Sequence, residues 1–164
     1  MRKSVLLDIL RALGALFAAF LFYSFLGTVG PAALVVVNGF SLAVVAFAVR
    51  KGEIFGAVLG TACGLVQDTF SLGIFGVGGL TKTLLGFWTG YVARRIDITP
   101  GLRSAAFLFV MSTLELILWI LLGGLVLGQR VNLHGGLIFL QPFTTAFLGS
   151  SALFAVRRIE ARRA

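Results

Sequence analysis

Long apolar runs alternate with short clusters of charge along this chain. Six apolar stretches stand out, at about 12–26, 31–49, 54–70, 75–93, 102–127 and 136–156. Most approach the roughly 20 residues that a helix needs to cross a hydrocarbon layer. The first and third are shorter, so they are expected to extend into their flanks or to sit where the bilayer thins. Helices are the expected conformation, because backbone groups in lipid must be satisfied within their own segment. The pattern therefore predicts an all-α integral membrane protein. It would be a six-transmembrane-helix bundle forming a single membrane domain over residues 1–164.

The polar clusters supply an orientation. Arg2, Lys3 and Arg11 precede stretch one, Arg50 and Lys51 follow stretch two, and Arg94, Arg95 and Arg103 follow stretch four. Arg157, Arg158, Arg162 and Arg163 follow the last stretch. With six spans these fall on one side, and only Lys82 and Arg130 fall on the other. Positive charge collects on the cytoplasmic side of membrane proteins, so both termini are expected in the cytoplasm. The basic, then apolar, N-terminus superficially resembles a secretory signal. Apolar stretches continue to the C-terminus, however, and an uncleaved first span is the expectation.

Composition strengthens the membrane reading. The chain is 59% hydrophobic and 12% charged, where soluble proteins run near half apolar and a quarter charged. Its net charge of +8 would suit nucleic acid, but the bases lie in loop clusters as topology requires, so no nucleic-acid partner is expected. The single cysteine, Cys63, lies in an apolar run and reads as a small buried hydrophobe. Connections are short, the longest outer one running from Gly128 to His134.

Chemistry-bearing residues concentrate in the third and fourth stretches. Gly56, Gly60 and Gly64 repeat every four residues, and Asp68 continues the series. Gly86 and Gly90 form a shorter version. Such rows let backbones approach closely, either within the bundle or as a docking ridge for a partner helix. Gln67 and Asp68 end the third stretch, and Lys82 stands near the outer end of the fourth. The expected structural reading is an Asp68–Lys82 pair that locks the hairpin; the functional readings are a ligand anion at Lys82 or a polar contact to a partner. The segment between them, 71–79, holds Ser71, Gly73, Gly76, Gly78 and Gly79. It lacks the GK[ST] of a phosphate loop and reads as a tight turn, re-entrant in the extreme case.

Glu115 lies near the middle of the fifth stretch. An acid at that depth is expected to face the bundle interior, bonded to a neighbouring helix or serving as a handle for a partner. A proton relay would need a second acid or histidine, and none is suitably placed. His134 stands without Cys, Asp or Glu neighbours, so no metal site is expected. There is no zinc pair, no Asp-rich motif for diphosphate chemistry and no Ser/His/Asp set, so no catalytic residues and no cofactor are expected. Trp88, Trp119, Tyr23 and Tyr91 read as interface anchors or packing.

The central hairpin resembles the rod shape-determining MreD family of bacteria. The resemblance rests on Gly64-Leu65-Val66-Gln67-Asp68, Ser71, Phe75-Gly76, Leu84-Leu85-Gly86, and Tyr91 with Arg94-Arg95, about 40 of 164 residues. Leu72 stands where a glycine is usual, and Phe75 where a leucine is usual. The resemblance implies a non-enzymatic subunit of the cell-elongation complex in the bacterial inner membrane. It implies MreC as the direct partner, with MreB, RodA and a class B penicillin-binding protein in the same assembly. It also implies a bundle similar to the substrate-binding subunit of energy-coupling-factor transporters. The alternative function is then such a vitamin-binding subunit, which would need Gln67, Asp68, Lys82, Asn132, His134 and Gln141 to line a cavity. In either case membrane lipids are partners, with the cytoplasmic arginines meeting anionic headgroups.

Overall fold

The computed structural model describes residues 2–70, 75–96, 102–127 and 134–161. Every regular element among them is helical. Helix α1 spans Arg2–Val29, α2 Pro31–Val36, α3 Gly39–Lys51, α4 Glu53–Phe70, α5 Val77–Ala93 and α6 Leu102–Leu127. A 3-10 segment, His134–Leu140, leads into α7, Gln141–Ala161. Among the described residues three stretches, Leu6–Val29, Ala32–Lys51 and Leu102–Val126, are long and apolar enough to cross a membrane.

The fifth expected stretch matches α6 to the residue, and α4 begins one residue earlier than expected. The first is much longer than 12–26. Its charged start, including Asp8 and Arg11, is also helical, and it ends only at Gly30, whose φ of 143° favours glycine. Pro31 then opens α2, where a missing N–H costs nothing.

Two expected stretches are not single helices. The one at 31–49 stops at Val36, Val37 is extended, and Asn38 starts α3 by accepting from the Ser41 backbone N–H at 3.2 Å. Asparagine bonds readily to nearby backbone, so it favours caps over helix interiors. The last stretch opens as the 3-10 segment and becomes α-helical at Gln141, with Pro142 in the first turn of α7. An apolar run hides both interruptions, because hydropathy does not register where the backbone changes course.

Helices α4 and α5 run antiparallel, with Gly56 against Gly86 and Gly64 against Gly78. The closest pair is α4 and α5, with α3 across both, α6 against α5 and α7 against α6. Phe40, Val44, Leu59, Cys63, Leu85, Leu108 and Ala146 form the core where these helices meet. α1 leans on α3, with Tyr23 against Phe40 at 5.5 Å between ring centroids. Only 6% of the apolar window of α1 is buried. A continuous apolar face of that extent marks contact with lipid or another protein.

One end of the bundle is ionic. Asp8 bonds Lys51 at 2.6 Å and Arg11 at 3.5 Å, joining the start of α1 to the end of α3. Glu53 bonds Arg94 at 2.9 Å, joining the start of α4 to the end of α5. The start of α6 and the end of α7 wall a common groove, and Arg103 and Arg158 are exposed on these two helix ends. Arg95 lies over the Tyr91 ring, 4.4 Å from its centroid, a cation–π contact.

Candidate functional site

The α5 register Gly78, Lys82, Gly86, Gly90 contains one residue with a side chain. The Lys82 carbonyl lies against Gly60, where an added Cβ would collide with it. Its side chain leaves the α4 interface for α6. There Lys82 Nζ donates to Glu115 Oε1 at 2.6 Å. Ser41 Oγ, held in the first turn of α3 by the Asn38 cap, donates to the same oxygen at 2.6 Å. Lys82 is 3% exposed, Glu115 4% and Ser41 0%. Three helices thus converge on one carboxylate oxygen.

Attraction at this depth is far stronger than in water, and desolvation offsets much of it. Removing one partner is the costly event, because it strands the other charge. Among the described residues Glu115 Oε2 has no hydrogen-bond partner, and neither has Ser112 Oγ one turn earlier on the same helix.

The expected Asp68–Lys82 pair does not form. Asp68 Oδ2 instead accepts from the backbone N–H of Gly76 at 2.8 Å and of Gly79 at 3.2 Å. These are the orphan donors at the start of α5, where Gly76 is the cap residue and brings no side chain of its own. A carboxylate from the preceding helix satisfies them and meets the positive end of the helix dipole. Gly76 has φ of 100°, and a Cβ at Gly78 would strike the Asp68 carboxylate. Gly78 and Gly79 therefore belong to the first turn of α5 and not to the connecting turn, contrary to expectation. Ser71 and Gly73 lie outside the described residues. Gln67 is half-buried next to Asp68.

The glycine row faces inward. Gly56 meets Gly86, Gly60 meets Lys82 and Thr83, Gly64 meets Gly78 and Gly79, and Gly90 meets Gly52 and Glu53. Paired positions step by four residues on each helix, so the two backbones touch along the full hairpin. Of the two expected uses of this row, the structure takes internal packing; the face is not free to dock a partner. Thr61 and Thr83 hydroxyls add a cross-helix bond of 2.7 Å.

Ser41, Asn38, Asp8 and Glu53 are the participants that the sequence reading missed. Asn38-Gly39-Phe40-Ser41 is a recognisable cap signal inside an apolar run. The Lys82–Glu115 partnership has a weaker signal: each residue stands ten to fifteen positions from the shared connection between α5 and α6, hence at similar depth. Gln141 is half-buried at the start of α7, and Arg130 and Asn132 lie outside the described residues. Of the residues expected to line a ligand cavity, Lys82 is instead spent on Glu115 and Asp68 on α5, and the side chain of His134 is outside the described ones. No protein-family model, curated protein or solved structure matches the chain.

Proposed function

We propose that this chain is a non-enzymatic membrane scaffold of the bacterial cell-elongation complex, an MreD-like subunit that binds MreC. In this reading six passes cross the cytoplasmic membrane, both termini are cytoplasmic, and the ionic end of the bundle faces the cytoplasm. MreB, RodA and a class B penicillin-binding protein belong to the same assembly. The bundle similarity to the substrate-binding subunit of energy-coupling-factor transporters is part of the same proposal.

The observation that supports it is the use made of Asp68. The Gln67-Asp68 motif and its glycines, which carry the resemblance, build a rigid hairpin. Lys82 and Glu115 are spent in the same way, joining helix to helix. Side chains so employed hold a shape for partners to recognise. A vitamin-binding subunit would direct them at a ligand.

The test is deletion of the chain from its own rod-shaped bacterium. Rounded cells, restored to rods by the intact chain, support the proposal. Rods that persist while uptake of a vitamin fails would replace it with the transporter reading.

A further inference from the structure

At the ionic end, α6 and α7 part to leave an open groove of about 430 Å³, lined by Leu102, Ala105, Ser150, Ser151 and Phe154. Its walls are effectively apolar. Ser150 and Ser151 both donate their hydroxyls to the Phe147 carbonyl of their own helix, at 3.1 and 2.8 Å. Leu102 and Phe154 are exposed at its rim.

The surroundings carry the opposite character. Arg158 lies one turn beyond Phe154 on α7, and Arg103 follows Leu102 on α6; both are exposed. Among the described residues neither guanidinium is paired with a carboxylate. Arg94, by contrast, is held by Glu53, and Lys51 by Asp8. The first turn of α6 contains no acid. An apolar slot with unpaired cations at its interfacial mouth is complementary to one kind of molecule, an acyl chain that carries a phosphate.

We propose that the α6–α7 groove is a binding site for an anionic phospholipid. An acyl chain lies along Leu102, Ala105 and Phe154, and the headgroup phosphate meets Arg158 and Arg103. Arginine suits this task, because its planar fork binds phosphate oxygens in pairs. The site would select phosphatidylglycerol over phosphatidylcholine, since a net-neutral choline headgroup brings its own cation to the arginines. The inference rests on the membrane reading of the chain and deepens it.

The test uses the full-length chain in detergent, observed by native mass spectrometry during titration with palmitoyl-oleoyl phosphatidylglycerol or phosphatidylcholine. One phosphatidylglycerol should be retained in preference to phosphatidylcholine. Arg158→Gln and Arg103→Gln should each weaken its retention about fivefold, the effect of one basic group near a membrane surface, with phosphatidylcholine unaffected. Ala105→Trp, which fills the groove, should abolish retention with helicity unchanged. Equal retention of the two lipids, or retention indifferent to all three substitutions, would overturn the proposal. So would a dimer that Ala105→Trp dissociates, which would place a second copy in the groove. Flotation separates this failure from that of the membrane reading. A chain that floats with vesicles containing one-fifth phosphatidylglycerol yet binds both lipids alike loses only the groove, whereas a chain that does not float loses both.

Discussion

Lys82 is a buried cation whose charge is answered across two helices, not within its own hairpin. The sequence marks it as a charge in need of a partner but does not identify that partner, because partner choice depends on which helix faces meet. Glu115 is likewise legible as an inward-facing acid, while the lysine and serine that share its oxygen are not. Because the pair is buried, its two members are expected to be strongly coupled. Lys82→Met or Glu115→Leu alone should destabilise the bundle by about 3–5 kcal/mol, the cost of breaking a buried pair. Lys82→Met combined with Glu115→Leu should recover most of that loss. Unfolding of the four proteins in one detergent checks this; additive effects would mean the two residues act separately.

The hairpin of α4 and α5 shows what a sequence pattern carries at the level of elements. The four-residue glycine spacing predicts close backbone approach, and that approach occurs along its whole length. The spacing alone does not say whether the facing backbone belongs to the same chain. Asp68 was legible as a constrained acid, but its acceptor role toward Gly76 and Gly79 depends on a helix start that hydropathy does not locate. Asp68→Ala should cost about 1–2 kcal/mol, the worth of a helix cap. It should also speed amide exchange at the start of α5; unchanged exchange there would remove the capping role. Gly60→Leu is incompatible with the Lys82 carbonyl and should part the hairpin. A cysteine pair placed in α4 and α5 should then cross-link poorly, and undiminished cross-linking would contradict the packing. The break at Asn38 was readable from its cap residues, yet the surrounding apolar run outweighs them in any window-based reading.

At the scale of the molecule, the charged ends of the helices meet in ion pairs at one end, and the apolar flank of α1 is left open. This division explains why the all-helical character of the chain was legible from its apolar runs alone. The scaffold reading assigns the buried charges to shape and the binding of MreC to helix surfaces. Cysteines introduced near residues 2 and 164 should both react from the cytoplasmic side; labelling from opposite sides would refute an even number of spans. The most direct measurement is capture of MreC from co-expressing membranes by the intact chain and by the Lys82→Met/Glu115→Leu variant. The account predicts equal capture, since apolar replacements keep the helices together. A folded variant that no longer holds MreC, or an intact chain that never does, would contradict it.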